Sequence, residues 1–110
     1  MPNGKIYGVL SVERKKVKRT EVYEIQPKEG TFVLKCSKKA YYLKGAVTSI
    51  INKIFVTGSQ EGKTKSGCQL NLLNDPIFED LPEMLVGRHS HAMTVFNQKY
   101  LYVFGGVHTQ

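Results

Sequence analysis

The chain has 110 residues, of which 41% are hydrophobic, 16 are Lys or Arg and 9 are Asp or Glu. This length suits one small domain, and the apolar fraction supports a packed core and argues against a wholly disordered chain. No apolar run reaches the roughly 18 residues of a membrane-spanning helix, and the first residues lack the apolar stretch of a secretory signal, so we expect a cytoplasmic protein.

The net charge of +7 lies entirely in the first part of the chain. Residues 1–44 hold 11 basic and 4 acidic side chains, whereas residues 45–110 hold 5 of each. The excess is concentrated in residues 14–19, which we call the basic segment. Such a segment is typical of a nuclear import signal or of a nucleic-acid contact, and the alternative is a solvated loop between strands. The absence of interleaved aromatic residues for base stacking favours the loop.

Short segments rich in β-branched and aromatic residues predict strands along most of the chain, and helical spacing is hard to find. The predicted strands are 5–12, 21–25, 31–35, 46–51, 53–57, 68–73, 92–96 and 99–104. The polar pairs Asn52-Lys53 and Asn97-Gln98 predict hairpin turns between neighbouring strands. The sequence therefore predicts an all-β fold.

The two predicted hairpins are similar to each other in sequence. Three pairs of segments align at nearly the same offset: 46–48 with 92–94 and Phe32 with Phe78 at 46 residues, and 54–59 with 101–106 at 47 residues. The difference of one residue falls in a turn. A fainter third copy begins at Lys5, 48 residues before Lys53. An internal repeat of this length, built from short strands, indicates the blade of a β-propeller.

The most specific motif lies in residues 81–106. It begins with Leu-Pro-Glu-Met, continues with Arg88, a strand, a turn and an aliphatic-aromatic strand, and ends with Gly105-Gly106. This stretch resembles the kelch repeat, which has this order of residues. The copy at 40–59 is degenerate, because Tyr42 and Lys44 stand near the arginine position and Gly58-Ser59 replaces the glycine pair. The sequence departs from the family in having no tryptophan.

The resemblance implies a partial kelch-type β-propeller of about two four-stranded antiparallel blades, the last one incomplete. It covers residues 20–110 and divides the chain into three parts. Residues 1–19 hold an N-terminal strand, a remnant of a preceding blade, and the basic segment. Residues 20–65 form the degenerate copy, and residues 66–110 form the second copy. The chain is then expected to be a fragment of a larger propeller, and its exposed blade edges predict self-association.

The function implied by the resemblance is protein–protein interaction, as a scaffold or as a substrate receptor. We expect no enzymatic activity, no cofactor, no metal and no membrane association, with an unidentified protein as the partner. Loops that lead into the first strand of each blade would form the partner-binding face, here Arg88, His89, Ser90, Tyr42 and Lys44. Arg88 has a second interpretation, in which its guanidinium binds backbone carbonyls of the turn. The structural positions of the motif are Gly105, Gly106, Gly58, Tyr102 and Phe78.

Two other segments resemble a nucleotide-binding site and a metal site. Residues 57–64 resemble a phosphate-binding loop, but Thr57 stands where the first glycine belongs and no helix is predicted to follow. A polar loop between the second and third strands of a blade explains the segment better, and nucleotide binding stays an alternative function. His89 and His91 lack a third metal ligand at suitable spacing. Cys36 and Cys68 are predicted to be free thiols.

Overall fold

The structure is a computed structural model that describes residues 5–40, 42, 44–50, 52–60, 64–72, 78–97 and 99–108. These residues form eleven β-strands and no helix, so the predicted all-β fold is confirmed. The described part of the chain accordingly has no helix that is long and apolar enough to cross a membrane. All paired strands are antiparallel neighbours, as expected for short strands joined by short turns.

The first three strands form a meander that we call sheet 1. It consists of β1 (Ile6–Arg14), β2 (Val17–Gln26) and β3 (Thr31–Lys38). Lys15 and Lys16 form the turn between β1 and β2, with φ values of 50° and 64°. The basic segment is therefore mostly strand, and only its two central lysines form the predicted loop. The expected boundary after residue 19 falls inside β2, because a strand cannot be divided from the ladder that it shares with both neighbours.

The next four strands form a second meander, sheet 2. It consists of β4 (Ala46–Ile50), β5 (Lys53–Thr57), β6 (Gly67–Asn71) and β7 (Phe78–Asp80), in that order across the sheet. The expected boundary between residues 65 and 66 lies in the connection between β5 and β6, which pair with each other. The sheets are thus divided differently from the sequence copies.

The last four strands form a bent hairpin, which we call the C-terminal hairpin. Strand β8 (Arg88–His89) pairs with β11 (Val107–His108), and β9 (Ala92–Phe96) pairs with β10 (Tyr100–Phe104). The two ladders belong to one continuous hairpin, and it bends between them. Gly105 and Gly106, both with positive φ, connect the two halves of the returning strand.

The C-terminal hairpin repeats the register of the β4–β5 hairpin. Ala46 pairs with Thr57, and the residues 46 and 47 positions later, Ala92 and Phe104, also pair. The turn between β9 and β10 is one residue longer than that between β4 and β5, which explains the change of offset. The sequence repeat therefore corresponds to a repeat of strand pairing.

Sheet 2 lies between sheet 1 and the C-terminal hairpin. One of its faces packs against sheet 1 in a core cluster made of Val22, Tyr42, Ile54, Val56, Cys68 and Leu70. An ion pair between Lys38 of β3 and Asp80 of β7 also connects the two sheets. The opposite face carries Thr57, which contacts the C-terminal hairpin. Each buried large side chain of the cluster contributes about 1.5–3 kcal/mol to folding, so the stacking of the layers supplies much of the stability.

Candidate functional site

Two turns at equivalent positions of the repeat lie side by side. Lys44 precedes β4 and Ser90 precedes β9, 46 residues later, and both have left-handed backbones with φ values of 57° and 54°. The backbone N–H of Ser90 donates a hydrogen bond of 2.6 Å to the carbonyl oxygen of Lys44. Both residues are exposed. Because both turns are exposed and lie at the predicted partner-binding positions of the repeat, we treat this pair of turns as a candidate surface.

Arg88 lies in β8 and is half-buried. Its backbone N–H donates a hydrogen bond of 3.3 Å to the carbonyl oxygen of Thr64, which fixes the strand. The guanidinium makes a long hydrogen bond of 3.4 Å from Nη1 to the carbonyl oxygen of Gly105, and its buried Nε has no partner. A guanidinium has five N–H groups to donate. Arg88 thus makes the contact with a turn carbonyl that its structural interpretation predicts, but this contact is weak. Its guanidinium still has N–H groups that can donate to an anionic group.

Arg88 lines a pocket of about 450 Å³ between sheet 2 and the C-terminal hairpin. Most of the lining is apolar, and it consists of Thr57, Leu81, Pro82, Glu83, Met84, Leu85, Arg88, Leu101 and Val103. Backbone hydrogen bonds of 2.9 Å, from Leu81 N to Gly67 O and from Met84 N to Lys65 O, hold the segment 81–84 against sheet 2. The walls are therefore fixed by the fold. The lining carries one cationic side chain, Arg88, and one anionic side chain, Glu83, so the pocket suits an apolar group whose negative charge lies on the Arg88 side.

No motif or spacing in the sequence predicted this pocket. Leu81 and Pro82 stood out only as the start of the repeat motif, and Leu101 and Val103 only as part of a predicted strand. Leu85 at the edge of the pocket is 95% exposed. Sequence periodicity cannot show that these segments converge, because their contact depends on how the C-terminal hairpin packs against sheet 2.

The two neighbouring histidines are buried and do not belong to a surface. His91 Nε2 forms a hydrogen bond of 2.8 Å with Thr57 Oγ1, and the proton of the Thr57 hydroxyl is donated to the sulfur of Met93 at 3.3 Å. Burial lowers the pKa of His91, and the positive charge of Arg88 lowers it further. His89, which was expected on the partner-binding face, is equally buried, so little of its side chain is accessible there. Within the described ranges, no group of three or more His, Cys, Asp or Glu side chains could hold a metal ion.

Tyr42 was also expected on the partner-binding face, and the structure places it in the core. Its side chain is only 5% exposed and belongs to the core cluster between the two sheets. Burial raises the pKa of its hydroxyl strongly, and a hydrogen bond with Cys68 adds to this effect. Burial likewise raises the pKa of the Cys68 thiol. Tyr42 is therefore a core residue, while Lys44 two residues later is at the surface.

The structural positions of the motif have different environments. A Cβ atom at Gly58 would lie 2.3 Å from the carbonyl oxygen of Arg88, so only glycine allows this close approach. Gly106 is in similarly close contact with β8, whereas Gly105 has open space around it. Phe78 is half-buried and packs on the core cluster. Tyr102 is exposed on the outer face of the C-terminal hairpin.

The geometry does not favour the two alternative binding functions. The residues after Thr57 lead into strand β6, and a phosphate-binding loop needs a helix there, whose N-terminus holds the phosphate. Gly62 and Lys63 of that loop lie outside the described residues. In the basic segment, Arg14 Nη1 donates a hydrogen bond of 2.5 Å to Glu21 Oε2, and Arg19 Nε donates one of 2.7 Å to Ser37 Oγ. Both arginines thus have partners within sheet 1.

Comparison with protein-family models and with curated proteins finds no match for this chain. The kelch resemblance therefore stays a prediction from residues 81–106. What the site binds is inferred from the pocket beside Arg88 and the two turns next to it.

Proposed function

We propose that the chain is a protein-interaction module of the kelch-repeat type, part of a larger propeller that serves as a scaffold or substrate receptor. The observation that carries this proposal is the apolar pocket of about 450 Å³ beside the incompletely bonded guanidinium of Arg88. The occupant that fits is a segment of a partner protein with an apolar side chain next to a carboxylate. The apolar side chain fills the pocket, and the carboxylate accepts hydrogen bonds from Arg88.

The arrangement of the sheets supports a propeller of this type. Sheet 2 is a four-stranded antiparallel meander, the form that propeller blades take. The C-terminal hairpin repeats the register of the first two strands of sheet 2 and packs on its face. Repeated sheets stacked face to face are what a series of blades requires.

A protein partner fits this surface better than a small molecule. Leu85 at the edge of the pocket is almost fully exposed, and Val86 beside it is exposed as well. These two side chains extend the apolar surface beyond the volume that a small ligand would fill. A central pocket surrounded by further apolar contacts is typical of protein recognition.

The test is a selection from a library of random peptides displayed on phage, with the full chain immobilised. We expect peptides with Asp or Glu next to a large apolar residue, and at least a tenfold weaker affinity of these peptides for the variants R88K and L85A. R88K keeps the charge and loses the forked donor geometry, and Leu85 is too exposed to be needed for folding. The control is K28A, in the exposed turn between β2 and β3. Peptides that bind all four proteins equally, or a selection without enrichment, would refute the proposal.

A further inference from the structure

Two apolar faces remain open at opposite ends of the stack of layers. The outer face of the C-terminal hairpin carries Phe96, Tyr100, Tyr102 and Phe104, which we call the aromatic face. These side chains are between 47% and 58% exposed. Tyr102 lies at the centre, with the other three ring centroids 6.4–6.5 Å from its own. Four aromatic side chains at this exposure offer about 400 Å² of surface, from about 150–250 Å² for a whole aromatic side chain.

The second open face belongs to sheet 1. Its outer side has a concavity of about 420 Å³, lined by Gly8, Leu10, Tyr23, Ile25 and Phe32, which we call the sheet 1 concavity. Phe32 at its edge is 70% exposed. The inner side of the same sheet carries Val22 and packs against sheet 2.

The layers inside the chain follow one packing rule. Sheet 2 presents its Thr57 face to the C-terminal hairpin, which meets it with the side that carries Met93 and Val103. By the repeat offset of 47 residues, Val103 corresponds to Val56, on the opposite face of sheet 2. We call a face Thr57-type or Val56-type when its residues align with Thr57 or with Val56 in the repeat. A face of the Thr57 type is therefore covered by a face of the Val56 type from the next layer.

The contact between sheet 1 and sheet 2 obeys the same rule. Sheet 2 uses its Val56 face there, and sheet 1 meets it with the side that carries Val9. At the offset of 48 residues, Val9 corresponds to Thr57. The rule thus holds at both internal contacts, with the order of the layers preserved.

The rule also classifies the two open faces. Phe104 of the aromatic face corresponds to Thr57 at the offset of 47 residues, and Gly8 of the sheet 1 concavity corresponds to Val56 at 48. The open faces are therefore the two complementary types that already pack together twice within the chain. We propose that the aromatic face of one copy of this chain packs into the sheet 1 concavity of a second copy, head to tail.

This contact is a continuation of the internal stacking, and it differs from the edge pairing that the sequence predicted. It joins two different faces, so each added copy leaves one face of each type open, and assembly ends only when a ring closes. The aromatic face is smaller than the roughly 800 Å² that each partner contributes to a standard interface, so the contact is weak. With a net charge of +7, copies repel each other, and added salt strengthens the association.

The test uses analytical ultracentrifugation of the full chain over a wide range of concentrations. Y102E blocks the aromatic face and F32E blocks the concavity, and each leaves the other face intact. We expect the wild-type mass to rise with concentration and each variant alone to associate at least tenfold more weakly. An equimolar mixture of the two variants should form a dimer and nothing larger, because each partner has one usable face. The control is V47E, which introduces the same charge at an exposed apolar side chain of sheet 2, outside both open faces, and should associate like the wild type.

Other outcomes identify other contacts. If F32E alone still associates, aromatic faces pack against each other or strand edges pair, and the proposal is wrong. A wild-type protein that stays monomeric at every concentration and salt overturns it as well. Far-UV circular dichroism of each variant verifies the fold. Peptide binding at the Arg88 pocket does not depend on this contact, so the two proposals fail separately.

Discussion

Replacing each glycine of the Gly105-Gly106 pair separately by alanine tests how the C-terminal hairpin is held together. Both residues have left-handed backbones, with φ values of 61° and 82°. A Cβ atom at residue 105 would meet nothing within 4 Å. At residue 106 it would lie 2.5 Å from the carbonyl oxygen of His89 and 2.9 Å from the Cα atom of His91. The variants G105A and G106A therefore both place an alanine in a left-handed backbone, but only the G106A methyl group collides with neighbouring atoms.

The shared effect is small. Alanine with a left-handed backbone destabilises the folded state by about 1–2 kcal/mol. The lower conformational entropy of the unfolded variant offsets about 0.4–1 kcal/mol of this loss. For G106A, the β8 backbone must also move away from the new methyl group. Such overpacking costs about 1–3 kcal/mol, and loss of the hydrogen bond between His91 and Thr57 costs about 0.5–1.5 kcal/mol more. We expect G106A to lower the free energy of unfolding by about 2–4 kcal/mol more than G105A.

Urea unfolding followed by far-UV circular dichroism measures this difference. The protein is kept dilute so that the monomer is observed, and the slope with urea must stay the same in both variants for the midpoints to be compared. Equal midpoints, or a larger loss in G105A, would show that the close approach of Gly106 to β8 does not hold the hairpin in place.

The remaining predictions concern the core, the pH dependence and the thiols. L70A should lower the free energy of unfolding by about 2–5 kcal/mol, because Leu70 is fully buried, whereas L85A should change it by less than about 0.5 kcal/mol in the same urea titration. Burial lowers the pKa of His91, so stability should be complete above the ordinary histidine pKa and fall as the pH drops below it, a slope that H91Q should reduce. Cys68 should react with a thiol reagent only after unfolding, and the half-buried thiol of Cys36 should react sooner.

Most strands follow from local patterns, and the basic segment shows where such patterns stop. Its run of like charges predicted a solvated loop, yet β1 and β2 continue through most of it. Arg14 forms its ion pair with Glu21, seven residues away and on the neighbouring strand. Hydrogen bonds from Arg14 and then from Tyr23 hold the pKa of Glu21 below its usual range. Opposite charges across strands thus offset the repulsion along the chain, and this pairing appears only once the register is known.

Only part of the candidate site could be predicted, because the rest depends on contacts between segments that are distant in sequence. The motif drew attention to Arg88 and Ser90, and their degenerate counterparts led to Lys44 and Tyr42. Burial decides between these last two, and it depends on how sheet 1 packs against sheet 2, which the alignment of the two copies does not show. The pocket requires contacts between segments that are distant in sequence. Local sequence could identify the turns, but it could not show which side chains line a cavity.

The residues of β10 link the internal packing to the proposed association. Leu101 and Val103 face sheet 2, and Tyr102 and Phe104 face outward with about half of their surface exposed. A strand at the end of a stack, in contact with water on one side, ordinarily alternates apolar with polar residues. Strand β1 shows the same departure, with Val9 inward and Leu10 outward. Sheet 1 and the C-terminal hairpin are thus apolar on their outer sides, where the packing rule of the internal contacts would place another layer. The rule also specifies which type of face that layer must present. A second copy supplies that layer at both ends with residues that this chain already uses for its own stacking.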